Sequence, residues 1–158
     1  MLIWFNPVYD RTQEDVDYAK TKITEWINNP TSMVYDLKGC LNVSDINRIE
    51  GNIEYLSKNL LELGYNTNVS TKTWDNIGLI NQRDVNRILN NINDLKTSFY
   101  THSQAPLLPS DMRDYNSIND IEKNLYLIKE LLDCMVNSLH KSNTFKSGQS
   151  TFLPIRRY

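Results

Sequence analysis

A mainly α-helical protein, a bundle of about four helices with minor short β strands near the termini, is predicted by three observations. The first is a helix opening written four times. Thr12-Gln13-Glu14-Asp15-Val16, Asn42-Val43-Ser44-Asp45-Ile46, Asn81-Gln82-Arg83-Asp84-Val85 and Ser117-Ile118-Asn119-Asp120-Ile121 each set a capping residue three positions before an Asp, followed by a β-branched residue. The cap oxygen accepts a first-turn N–H, and the carboxylate faces the positive end of the helix dipole. The second is apolar spacing of 3-4-3-4 behind each opening. The third is the distance between copies, roughly 30, 39 and 36 residues, as in helical repeats.

The first helix carries Val16, Ala19, Ile23 and Trp26 and stops before Pro30. The second carries Ile46, Ile49, Ile53, Leu56, Leu60 and Leu63, with Gly64 as its stop. Leu41 with Ile46, and Ile80 with Val85, have the spacing of hydrophobic staples. Residues 66–74, with Val69, Thr71, Thr73 and Trp74, favour extended structure and are expected to pair with residues 1–5. The third helix carries Val85, Ile88, Ile92, Leu95 and Phe99; Pro106 and Pro109 place residues 102–114 in a loop. The fourth repeats the stripe from Ile118 to Leu139, and Leu127, Leu131 and Val136 add a second apolar strip, as on a helix buried on two sides. Residues 1–140 are expected to form the helical domain, and 141–158 a C-terminal extension with a hairpin expected at Ser147-Gly148.

Composition narrows function. With 158 residues, 40% hydrophobic and 23% charged, the chain is a globular domain able to bury a core. A net charge of −2 gives no electrostatic case for nucleic acid, and Arg156-Arg157 is a minor patch. The apolar Met1–Phe5 stretch is too short to span a membrane. Cys40 and Cys134 are expected to be free, buried thiols. The frequent asparagines fit AT-rich coding and are mediocre helix formers.

No catalytic, cofactor or metal constellation stands out. His102 and His140 lack metal-type partners, and no Cys-x-x-Cys, phosphate-cradling glycine loop or nucleophile elbow occurs. Glu14, Asp15 and Asp17 are better read as helix-start acids than as a cation site. Glu50, Glu54, Glu62, Glu122 and Glu130 lie in no motif that forces two together, and Glu50–Glu54 reads as an exposed edge. Arg48, Arg87 and Lys123, three residues after each repeated Asp, read as intrahelical pairs worth a few tenths of a kcal/mol, about 0.2–0.5. Trp4, Trp26 and Trp74 are a carbohydrate platform or, more commonly, core and interface anchors. Partner contacts are expected at Trp4, Phe5, Phe152, Leu153, Ile155 and Tyr158, and at Leu127 and Leu131 of the second strip.

Two segments, Trp4 through Asp17 (WFNPVYDRTQEDVD) and Leu37 through Leu56 (LKGCLNVSDINRIEGNIEYL), resemble a family of small helical proteins. Their genes lie among the tail genes of phages and prophages of low-GC Gram-positive bacteria. Thr71–Trp74 with the helix at 82–95, and Pro109 through Leu125, extend the likeness in family order to about residue 140. The resemblance implies a virion or tail-associated structural protein made in the host cytoplasm, with no catalytic residues to carry over. Its implied partners are other virion proteins and further copies of itself; a host surface glycan is the alternative at a tail tip.

Overall fold

The computed structural model describes residues 2–32, 36–75 and 80–142. Among these described residues are four helices: α1 (Gln13–Asn28), α2 (Val43–Glu62), α3 (Gln82–Ser98) and α4 (Tyr115–Ser142), with a 3-10 turn at Pro30–Ser32 after α1. The fold is mainly helical, as the repeated openings predict.

The side-chain caps form as expected at Thr12 and Asn81, while at Asn42 the side-chain oxygen accepts no first-turn N–H and the bond returned by Asp45 marks the opening. Thr12 accepts the Asp15 N–H at 3.2 Å while Asp15 accepts the Thr12 N–H at 2.9 Å. The Asn42 N–H bonds Asp45 at 2.9 Å, and Asn81 accepts the Asp84 N–H at 3.1 Å. The fourth opening is one turn out of register. Asp114, not Ser117, is the cap: its carboxylate accepts the Ser117 N–H at 2.8 Å, and the helix begins at Tyr115. Ser117 therefore stands where Asp45 and Asp84 stand.

With that correction a longer repeat aligns. Ile46-Asn47-Arg48-Ile49-Glu50-Gly51-Asn52-Ile53, Val85-Asn86-Arg87-Ile88-Leu89-Asn90-Asn91-Ile92 and Ile118-Asn119-Asp120-Ile121-Glu122-Lys123-Asn124-Leu125 share apolar positions and two asparagines. Ile49, Ile88 and Ile121 are fully buried, and with Ile53, Leu56, Leu60, Ile92, Leu95, Leu125, Ile128 and Leu132 they form one core between α2, α3 and α4. Each of these helices packs on the other two.

The connections run back over the grooves between these helices as extended chain. Residues 4–11 lie between α2 and α4, residues 67–74 between α2 and α3, and residues 106–112 between α3 and α4. The register of contacts fixes the directions. From Arg11 to Trp4, partners climb from Asp45 to Tyr55 on α2 and from Asn119 to Lys129 on α4. From Trp74 to Thr67–Asn68, they climb from Asn47 to Ser57 on α2, and from Asp84, bound by Lys72, to Asp94 on α3. All three helices therefore run the same way, with their N-termini at one end.

No strand occurs among the described residues, which corrects the expected pairing of residues 1–5 with 66–74. Both segments are extended, but each lies in a different groove, and side chains rather than another strand satisfy their backbones. α1 also departs from expectation. Of its predicted stripe only Ala19 is buried, while Ile23 and Trp26 are exposed, so it stands beside the three-helix core. Its first turn is fixed by the loop before α2: Lys38 reaches Asp10 and Asp15 at 3.2 and 3.3 Å. A Cβ on Gly39 would sit 2.0 Å from the Asp15 carbonyl oxygen, so only glycine permits this approach. Gly64 ends α2 at φ +89°, as its position foretells. Both cysteines are free, but Cys40 is half-buried and Cys134 exposed, not buried as expected.

Candidate functional site

The chemistry of the molecule is concentrated in the grooves. A peptide group laid on a helical surface loses water from its N–H and C=O, and each needs a replacement partner. A side-chain amide carries one acceptor and two donors, so it can satisfy both groups of one residue. Four asparagines do this. Asn52 takes Phe5 at 2.9 and 2.8 Å, and Asn119 takes Arg11 at 3.1 and 2.9 Å. Asn47 takes Trp74 at 2.8 and 2.9 Å, and Asn91 takes Ser70 at 3.1 and 2.7 Å. In the third groove Asn124 donates to the Pro106 carbonyl at 3.1 Å. Proline has no N–H to return, and Lys96 fills the remaining amide oxygen at 2.8 Å. Burial lowers the Lys96 pKa from its ordinary value.

Asparagine abundance is thus partly architectural, beyond the fit to AT-rich coding. The signal was present in the recurring asparagines five residues apart in the three aligned helices.

Each of the first two grooves also encloses charge. In the first, Glu122 is wholly buried and accepts the Val8 N–H at 2.7 Å, Arg11 at 3.1 Å, and Arg48 at 2.9 and 2.7 Å. Asp45 bridges the same two guanidiniums, 2.9 Å from Arg11. Burial disfavours the Arg48 charge, but Glu122 and then Asp45 outweigh it, so its pKa is raised. Arg11 also donates to the Val8 carbonyl, while its Nε is buried with no hydrogen-bond partner.

The second groove repeats the device. Glu50, 3% exposed, accepts the Trp74 indole N–H at 3.1 Å and both ends of Arg87. The hydrogen bond to Glu50 raises the Arg87 pKa, and Lys72, bonded to Asp84 at 2.6 Å, holds that carboxyl below its ordinary value. These clusters correct two expectations. Glu50 is a buried acceptor rather than an exposed edge, and Arg48 and Arg87 reach a glutamate on the neighbouring helix besides pairing with their own Asp.

Of the residues expected to contact a partner, Trp4 is half-buried, packed on the core with its ring 5.6 Å from that of Tyr55. Phe5 has its backbone clamped but its side chain 46% exposed, lying over Gly51. Leu127 is 4% exposed and Leu131 packs partly buried against the core, so the second strip of α4 faces its own fold. Phe152, Leu153, Ile155 and Tyr158, and the hairpin at Ser147-Gly148, lie outside the described residues.

Comparison with family models, with curated proteins and with solved structures finds no match in any of the three. The site is therefore read from its own geometry.

The buried carboxylates are engaged by guanidiniums, an indole and backbone amides. Among the described residues no group of three His, Cys, Asp or Glu is arranged to hold a metal ion, and no helix is long and apolar enough to cross a membrane. Burial, and then the charge of Asp45, raise the Cys40 pKa, which keeps that thiol protonated and unreactive at neutral pH.

The clamps make a direct prediction. Asn52→Ala removes both bonds to Phe5, each worth about 1 kcal/mol. Hydrogen exchange at the Phe5 amide should accelerate roughly tenfold or more, since 1.4 kcal/mol is a factor of ten. The Arg11 amide, held by Asn119, should keep its protection. Unchanged exchange at Phe5 would show that the amide pair does not hold the arm.

Proposed function

We propose that this chain is a non-enzymatic structural component of a phage virion, a tail, baseplate or fibre-attachment protein acting through protein–protein assembly. One observation carries the reading. The two segments with the more specific likeness to phage tail-region proteins, Trp4–Asp17 and Leu37–Leu56, meet in space as an extended arm and its seat. Arg11 pairs with Asp45, the Phe5 backbone with Asn52, and the Trp4 ring with Tyr55. The residues carrying the resemblance thus build one arrangement, and it is one that holds extended polypeptide. On this reading the partners are other virion proteins and further copies of the chain. Mass spectrometry of purified particles tests it: the protein should appear in fixed stoichiometry with tail proteins. Its absence from particles, with abundance in the infected-cell lysate, would instead make it a cytoplasmic assembly factor.

A second reading, a glycan-binding module at a tail tip, is favoured by the exposed Phe5 and by the Tyr9–Tyr126 ring pair, 5.3 Å apart and more than a third exposed. Binding on a glycan array, lost on Tyr126→Ala, would select it over a pure connector.

A further inference from the structure

We propose that residues 106–112 are a releasable strap, which leaves the groove between α3 and α4 while the other two extended segments stay seated and the three-helix core stays folded. Release follows from how each segment is held and does not rest on the virion reading. Residues 4–11 and 67–74 are each gripped by two asparagines that bond both the N–H and the C=O of one residue. Asn52 and Asn119 grip the first segment, and Asn91 and Asn47 the second. Among the described residues the third segment has no such double grip. Asn124 takes only the carbonyl of Pro106, which has no N–H to offer. Asn86, at the repeat position of Asn47 and Asn119, accepts a bond from Gln82 on its own helix at 2.9 Å instead.

Charge also ties the first two segments down. Glu122 takes the Val8 N–H and the Arg11 guanidinium, while Glu50 takes the Trp74 indole and Asp84 the Lys72 ammonium. At the position of Glu50 and Glu122, α3 carries Leu89. Among the described residues the Asn124 bond is the only hydrogen bond from residues 106–112 to a helix, and no ion pair joins them to one. Asp111 engages Arg113, two positions on and mostly exposed. The hold on this segment is apolar: Met112 is 6% exposed and Leu108 packs partly buried against the core, while Leu107 is 90% exposed. Local opening is drawn from the parts of a fold with few buried contacts and few protected hydrogen bonds. The α3–α4 groove thus has a cover that lifts without breaking any clamp on the other two segments.

The test places one thiol at a time in the full chain, with Cys40→Ser and Cys134→Ser as background. Met112→Cys reports the strap, and Thr67→Cys reports an equally buried place, 8% exposed, in the second segment. Each is labelled with a small maleimide in the folded state, after circular dichroism shows the helicity of the parent. The Met112→Cys thiol should label at least tenfold faster, at a rate insensitive to urea below the unfolding transition, because a local opening exposes little surface. With the label in place, the amides of Val8, Arg11, Ser70 and Trp74 should keep their protection from hydrogen exchange. Oxidation of Met112 in the unaltered chain by dilute peroxide, located by peptide mass, should show the same insensitivity to urea. Equal labelling rates with one shared urea dependence would overturn the proposal, since the segments would then open together. So would loss of protection at the four amides, which would make release of the strap the same event as unfolding, or Met112 oxidation that follows global unfolding in urea.

Discussion

Glu122→Ala should cost about 3–5 kcal/mol of folding stability, the usual result of removing one partner from a buried ionic cluster. The carboxylate serves Arg11, Arg48 and the Val8 amide together, and its loss leaves two guanidiniums sharing Asp45, with the Arg11 side chain only 1% exposed. Against a typical total of about 5–15 kcal/mol this is severe. The melting temperature should fall on the order of 10 °C, read by calorimetry or circular dichroism. Glu122→Gln keeps an acceptor of similar shape but leaves a buried positive charge, and should lose less. If both variants lose under about 1 kcal/mol, the cluster is not what fixes the arm. Such a cluster need not be more stable than a well-packed apolar one. Its contribution here is positional: it sets where residues 8–11 lie relative to α2 and α4.

Ile88→Ala should cost about 2–5 kcal/mol, the lost transfer energy plus an unfilled cavity. Ile88 has no exposure, and its repeat equivalents Ile49 and Ile121 have none either. If three parallel helices share one axis, alanine at any of the three opens a hole in the same layer. The three losses should then fall in the same range in urea titrations, with the slope against denaturant unchanged. A loss under about 1 kcal/mol at Ile88 alone would mean that α3 does not contribute to this layer as α2 and α4 do.

Much of the helical frame was legible because it depends on local signals. Asn42 and Asn81 announce helix starts through first-turn chemistry, Gly64 announces a stop, and the alternating apolar spacing assigns Ile49, Ile88 and Ile121 to a core. The start of α4 was misplaced because Ser117 and Asp120 copy the cap spacing by chance, while Asp114 sits behind a tyrosine and an asparagine that look like loop. The role of α1 was misread for a different reason. An amphipathic stripe reports that a helix has an apolar side, not what that side meets, and here Ile23 and Trp26 lie over the loop before α2, more than a third exposed, rather than in the core.

The grooves were the least legible part. A carboxylate flanking an apolar stripe looks exposed until an arginine from another helix covers it, as Arg87 covers Glu50 across 37 positions and Arg48 covers Glu122 across 74. Asparagine gripping a backbone leaves still less trace, since the gripped residue can be Phe5, Arg11, Ser70 or Trp74. What did show was recurrence of the gripping residue. Aligning helices on their asparagines, or on the caps Asn42, Asn81 and Asp114, brings Asn52, Asn91 and Asn124 into one column.

The seating of residues 4–11 has a consequence for how the chain is made. Their partners Asn119, Glu122 and Tyr126 lie more than a hundred positions downstream. At about 5–20 residues per second of synthesis, the arm leaves the ribosome several seconds before half of its seat exists. During that interval Trp4 lacks its neighbour Lys129, and residues 4–11 can be seated only once α4 has been made.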